Sequence, residues 1–159
     1  MDNKNACTYC GDTSGIEREH VIPAVFYFTR SFDPNEQWIV PACRICNSFA
    51  GSSLFFSIPE KAKYLLKRYR MRYKKLIKMP LWTPEELDDM GYKLRQGIER
   101  SMLLRLVVLR RIRYLEVMSN YDKNHLRPKW VEEEYKKWRR DMLQKKKSKK
   151  PVPTLESQV

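Results

Sequence analysis

Four cysteines in the first third of the chain constrain this sequence more than any other feature does. They form two Cys-x-x-Cys pairs separated by 32 residues, namely Cys7, Cys10, Cys43 and Cys46. Each pair places two sulfurs on one tight turn, and two pairs together complete the tetrahedral shell that zinc prefers. The spacing therefore predicts a structural zinc site with four thiolate ligands. The alternative is a set of buried or redox-active thiols that bind no metal.

The charge of the chain narrows the class of partner. The chain has 159 residues with 32 Lys and Arg against 19 Asp and Glu, which gives a formal net charge of +13. This excess favours a polyanionic partner, most simply a nucleic acid. The chain has only 5 glycines and no Gly-rich phosphate loop, which argues against a nucleoside-triphosphate enzyme.

Signals for export and for membrane insertion are missing from the sequence. No apolar stretch approaches the roughly 18 residues of a membrane span, and the N-terminus does not resemble a secretory signal. We therefore expect a cytoplasmic protein with no membrane partner. The reducing conditions of that compartment disfavour disulfides between the four cysteines.

The residue composition of the chain changes near residue 58, and this change predicts an α+β protein. Its three expected parts are a zinc-binding module at residues 1–58, a basic helical extension at residues 59–144 and a disordered basic tail at residues 145–159. Within the module, residues 21–27 and 38–40 are short β-type runs whose length prolines limit.

Capping signals mark the helices of the extension. Ser57 begins a capping box that predicts a helix to about residue 79, and Thr83 begins a second that predicts a long helix to about residue 120. A third helix is expected over about residues 129–145. The long helix carries an apolar stripe, interpreted as core or as the interface of a homodimer, at Leu87, Met90, Leu94, Ile98, Met102, Leu106, Leu109 and Ile112.

The first of these predicted helices is strongly basic. Residues 61–78 contain no acid, and apolar side chains interleave with the cations. This excess of cations without any acid predicts contacts with a nucleic-acid backbone. The alternative is a solvated cationic face that binds nothing. The candidates for phosphate contact are Lys67, Arg68, Arg70, Arg72, Lys74 and Lys75.

An acid–histidine motif lies between the two cysteine pairs. Residues 17–23 read Glu-Arg-Glu-His-Val-Ile-Pro, and Asn47 directly follows the last cysteine. This ordered combination resembles the HNH endonuclease family over roughly residues 7–56, and within it the branch in which four cysteines brace a ββα-metal nuclease fold. The resemblance implies a metal-dependent DNA endonuclease of phage or mobile-element type, acting in the cytoplasm of a phage-infected bacterium.

Three residues carry the implied chemistry. His20 is the expected general base for a water molecule, and its unperturbed pKa of about 6.5 suits that role. By the resemblance, Glu19 and Asn47 hold one catalytic Mg²⁺ or Mn²⁺, cations that prefer oxygen ligands. Glu17 is the alternative ligand if Glu19 is a solvated carboxylate. The other interpretations are a structural His20 and an Asn47 that only caps a helix.

The sequence departs from the family pattern at its middle position. A supporting Asn is expected five residues before Cys43, where Trp38 stands, so Asn35 or Gln37 is the expected substitute. The missing Asn leaves a rival function open, a non-catalytic zinc-containing DNA-binding protein such as a regulator or packaging accessory. RNA remains an alternative substrate, because cations that contact a backbone do not distinguish the two nucleic acids.

Overall fold

A computed structural model of the chain describes residues 5–28, 37–122 and 127–148. It combines a small sheet with helices, as the α+β prediction requires. The elements are β1 (Ile16–His20), α1 (Ala24–Phe28), β2 (Ile39–Cys43), α2 (Arg44–Ala50), α3 (Ile58–Arg72), α4 (Lys74–Ile77), α5 (Pro84–Asp88), α6 (Tyr92–Ser119) and α7 (Lys129–Ser148).

The sheet consists of two antiparallel strands that bring the cysteine pairs together. Strand β1 pairs with β2 so that Ile16 lies opposite Cys43 and His20 lies opposite Ile39. Helix α2 follows β2 without a loop, because the Cys43 side chain caps it by accepting a hydrogen bond from the Cys46 amide. The order along the chain is therefore strand, short helix, strand, helix, with α1 between the two paired strands.

The predicted β-type run at residues 21–27 is wrong. Val21 and Ile22 are buried, but they end the strand pairing, and α1 begins at Ala24. Pro23 fits the start of a helix because it needs no amide partner there, and its carbonyl accepts from the Phe26 amide at 2.9 Å. The strand is instead β1, which lies in the preceding polar segment. The polar composition of that segment gives no sign that it pairs with β2.

Both predicted helix starts are confirmed, but the helices are shorter than expected. The Ser57 side chain accepts from the Glu60 amide, and Thr83 forms a complete capping box with Glu86. Helix α3 ends at Arg72, so the expected helix to residue 79 is two helices. The expected helix from Thr83 to residue 120 is broken at Gly91, whose ψ of 142° is extended rather than helical.

The core forms where α3 packs along the C-terminal half of α6. Its buried side chains are Ile58, Ala62, Leu65 and Tyr69 from α3, with Val108, Ile112, Leu115 and Met118 from α6. Of the predicted apolar stripe, Leu87 and Ile112 are buried, whereas Leu94 and Leu106 are 60% and 62% exposed, so the stripe as a whole does not belong to the core. Helix α3 is about 22 Å long and α6 about 42 Å, so α3 cannot cover all of α6.

The chain divides into two compact units, Met1–Leu126 and Arg127–Val159. Helix α3 begins at the boundary predicted near residue 58, yet it belongs to the same unit as the cysteine pairs. The second unit contains α7, which continues to Ser148; residues 149–159 of the expected tail lie outside the described residues. Within the described residues, no helix has both the length and the apolar character that a membrane crossing needs.

Candidate functional site

The four cysteines form one buried cluster. Their Sγ atoms all lie within 4.8 Å of one another, and the side chains are buried. The sulfurs of Cys10 and Cys43 are 3.6 Å apart. A tetrahedral zinc with bonds of about 2.3 Å separates its sulfur ligands by about 3.8 Å. The four thiols are therefore positioned to bind one metal ion, and their donor set suits zinc.

Two tight turns create this convergence. In the first, the Gly11 amide donates to the Cys7 carbonyl at 2.9 Å, and Gly11 adopts a φ of 68°. A side chain at Gly11 would also meet the Tyr114 ring, since a Cβ there would lie 2.8 Å from two ring carbons. In the second turn, the Cys46 amide donates to the Cys43 sulfur at 3.5 Å. Glycine is therefore required at residue 11 by both its backbone conformation and its packing.

Helices α3 and α6 both reach the cysteine cluster. The Tyr69 hydroxyl of α3 lies 3.8 Å from the Cys46 sulfur, and burial raises the pKa of Tyr69, so the neutral phenol can donate to a thiolate. From α6, Arg111 forms a buried ion pair with Asp12, next to the first cysteine turn. Helices α3 and α6 thus contribute side chains to the surroundings of the candidate metal centre.

Glu19 is the centre of a buried polar network. One of its carboxylate oxygens pairs with the Lys61 ammonium of α3, and the other accepts from the Tyr9 hydroxyl at 2.7 Å. The side chains of Lys61 and Glu19 are 1% and 5% exposed. Burial lowers the pKa of Lys61, and the charge of Glu19 opposes that shift. Lys61 also donates to the carbonyls of His20 and Val21, at 3.2 and 3.3 Å.

Asn47 is brought together with Glu17 rather than with Glu19. The Asn47 Nδ2 atom donates to one Glu17 carboxylate oxygen at 3.3 Å, and Arg44 Nε donates to the other at 2.8 Å. All three side chains are at least partly exposed. Glu17 and Asn47 therefore form an oxygen-bearing pair at the surface, where the first strand meets helix α2.

His20 lies at the end of β1 and is held by Gln37. Its Nε2 atom is 3.0 Å from the Gln37 side-chain oxygen, so the neutral tautomer that donates this bond has its lone pair on Nδ1. Gln37 thus occupies a supporting position, whereas Asn35 lies outside the described residues. Because successive side chains of a strand alternate, His20 projects from the face opposite to Glu17 and Glu19.

The six basic candidates are all exposed on α3, α4 or the adjoining turn. Lys67 projects from the face opposite to buried Leu65 and Tyr69, whereas Arg70 lies at the side of α3 next to α6. Arg70 pairs with Glu116 of α6 at 2.5 Å, and both side chains stay accessible. An outward cationic surface therefore exists beside the cysteine module.

Lys61 is the first residue of the basic run at residues 61–78, but it is buried and structural, so the predicted contacts with a nucleic-acid backbone do not extend to it. A signal was present, because Lys61 stands within the apolar spacing of Ile58, Ala62 and Leu65 on the buried face. A scan of family models and searches of curated proteins and of solved structures each found no match to this chain.

Replacing Lys61 by Met should lower the free energy of unfolding by about 3–5 kcal/mol, because Glu19 would keep a buried charge without its cation. The matched control, Lys67→Met, changes an exposed lysine of the same helix and should cost less than about 0.5 kcal/mol. Urea denaturation measures both.

The double variant Lys61→Met with Glu19→Gln should recover most of that loss, because it leaves no unpaired buried charge. Equal unfolding free energies for Lys61→Met and Lys67→Met would contradict the buried ion pair.

Proposed function

We propose that this chain is a metal-dependent DNA endonuclease of the HNH type, braced by a structural zinc ion. The observation that carries the proposal is the unit of β1, β2 and α2, in which Asn47 touches Glu17 and the strand that holds Glu17 ends in His20. The same unit bears the four clustered cysteines. A histidine base, oxygen ligands and a cationic surface are the groups that phosphodiester hydrolysis needs.

The proposed zinc ion is bound by Cys7, Cys10, Cys43 and Cys46. Four sulfurs close its tetrahedral shell, so this ion is structural and takes no part in the reaction. Its role is to hold the two strands and α2 in place, because a module of this size has little core of its own.

His20 is the proposed general base. The hydrogen bond to Gln37 fixes the imidazole ring and favours the tautomer with its lone pair on Nδ1, which can take a proton from water. The Lys61 ammonium holds the His20 carbonyl from inside the protein, so the backbone that carries the base is also restrained. This double support positions the ring before any substrate arrives.

Glu17 and Asn47 are the proposed ligands of the catalytic cation. A carboxylate and an amide oxygen suit Mg²⁺ or Mn²⁺, which stabilises the charge on the leaving oxygen when bound. The Arg44 partner of Glu17 is 79% exposed, so the existing ion pair is weak and can exchange. Glu19, the ligand implied by the resemblance, is engaged by Lys61 and Tyr9, which favours Glu17 in this role.

The cations of α3 and α4 are the proposed contacts to the nucleic-acid backbone. Phosphate contacts position a duplex without reading its sequence. A second candidate function is a non-catalytic zinc protein that binds DNA. Two observations favour it. Glu19 is engaged in a buried ion pair, and His20 projects from the face of the strand opposite to Glu17 and Glu19.

The purified chain should contain one zinc ion, and Cys10→Ser should lower both the zinc content and the melting temperature, because one thiolate ligand is lost. Elemental analysis and calorimetry measure these quantities. Thr8→Ser, within the same turn, is the matched control and should keep the metal. Wild-type protein that folds with no metal would contradict the zinc assignment.

Wild-type protein should nick plasmid DNA in the presence of Mg²⁺ or Mn²⁺, and His20→Ala should reduce the rate by about 10² or more, because the general base is removed. Glu17→Gln should also reduce the rate while keeping the zinc content and the melting temperature of the wild type. Gel assays of nicked plasmid measure the rates.

Equal cleavage by wild type and His20→Ala would contradict the proposed base. Binding without cleavage under either metal would favour the non-catalytic function. Parallel reactions with single-stranded and duplex RNA identify the substrate class.

Lys67→Gln should reduce the dependence of log Kd for DNA on log salt concentration by about 0.9, because one phosphate contact is lost. Lys93→Gln, an exposed lysine at the start of α6, should leave that slope unchanged. Fluorescence anisotropy at several salt concentrations measures both slopes. Equal slopes for Lys67→Gln and the wild type would remove Lys67 from the proposed contact surface.

A further inference from the structure

The outer face of α6 carries a second side-chain pattern, distinct from its buried face. Positions along the helix alternate in spacing between three and four residues, which is the period of a helix–helix seam. We call these positions the outer seam: Tyr92, Gln96, Glu99, Leu103, Leu106, Arg110, Arg113 and Val117. The buried residues of α6, such as Val108 and Leu115, lie on the other side of the helix.

The apolar members of the outer seam are exposed. Their exposed fractions run from 53% at Val117 to 73% at Tyr92, with Leu103 and Leu106 at 65% and 62%. The seam shares only Leu106 with the apolar stripe predicted from the sequence. An exposed row of large apolar side chains at the period of a helix pair is a candidate surface for packing against another helix.

The charges of the outer seam indicate which helix fits it. Glu99 and Arg110 lie at similar distances on either side of the adjacent pair Leu103 and Leu106. In an antiparallel pairing of two identical helices, each seam position faces a position at the same distance on the other side of the symmetry axis. With the axis between Leu103 and Leu106, Glu99 faces Arg110 of the second copy.

The remaining seam positions match in the same register. Leu103 faces Leu106 of the second copy at the centre, and Tyr92 faces Val117 near the ends. Gln96 faces Arg113, whose guanidinium can donate to an amide oxygen. A parallel pairing in register would instead place Glu99 against Glu99 and Arg110 against Arg110, so like charges would repel.

The burial pattern of α6 allows this antiparallel pairing. The buried side chains of α6 all lie in its C-terminal half, whereas Leu94 and Leu103, on different sides of the N-terminal half, are 60% and 65% exposed. An antiparallel partner places each exposed N-terminal half along the C-terminal half of the other copy. The existing contact of Glu99 with Arg95, at 2.9 Å, is an exposed pair on one helix and remains compatible with a second cation.

We propose that the chain forms a homodimer in which two α6 helices pair antiparallel through the outer seam, with Glu99 of each copy against Arg110 of the other. The inference is independent of the proposed nuclease activity, because it rests on the surface of α6 alone. The partner is a second copy of this chain.

A charge exchange tests both the interface and its direction. The full-length wild type should sediment as a dimer at micromolar concentrations. Glu99→Arg and Arg110→Glu should each raise the dimer dissociation constant at least about tenfold, because two attractive pairs per dimer become repulsive. The double variant carries both exchanges and should return to within about threefold of the wild type. Sedimentation velocity over a concentration series measures the dissociation constants.

Two matched controls separate the seam from general surface effects. Lys93→Glu makes the same change of charge as Arg110→Glu on the same helix but off the seam, and it should leave the dimer intact. Leu94→Asp, also off the seam, should leave the dimer intact, whereas Leu103→Asp should dissociate it. Circular dichroism and zinc content verify that each variant is folded.

Three results would overturn the proposal. A monomeric wild type would show that no second copy covers the seam. A dimer that both single charge reversals leave intact would place the interface elsewhere. Loss of the dimer in the single variants without recovery in the double variant would exclude the antiparallel pairing of Glu99 with Arg110.

Discussion

The buried ion pair between Lys61 and Glu19 joins two parts of the chain that look separate in the sequence. Lys61 belongs to the first turn of a basic helix, and Glu19 belongs to a strand of the cysteine module. A buried charge without a partner is costly, so the helix must dock where the ammonium meets the carboxylate. Once α3 is docked, Tyr69 reaches the Cys46 sulfur and α6 packs along the same helix.

This docking gives α3 two different faces. The inner face holds the end of β1, because Lys61 donates to the backbone carbonyls of His20 and Val21. The outer face carries Lys67, and Arg70 lies at the side of the helix; both stay exposed. In the proposed function, one helix therefore positions the base from inside the protein and offers cations to the substrate from outside. The groups that serve these two roles lie on the two sides of a single helix.

The ion pair also decides which polar groups remain for chemistry. Both oxygens of Glu19 have partners in the core, whereas Glu17 and Asn47 meet at the edge of the unit with partial exposure. Residues two apart in a strand share a face, so the sequence pattern does not distinguish Glu17 from Glu19. They differ in burial, because helix α3, which is distant in sequence, covers only Glu19.

Local signals in the sequence determined several features by themselves. Cysteine spacing predicted the cluster, and the capping residues Ser57 and Thr83 predicted where two helices begin, because these features depend on a few neighbouring residues. The sequence also predicted the cationic character of α3. Only the tertiary structure decided that Lys61 is buried, that the N-terminal half of α6 has no buried side chain and that Glu17 rather than Glu19 meets Asn47. The reason is physical: burial and pairing depend on which distant element packs against a residue, and one element's own pattern does not specify its partner.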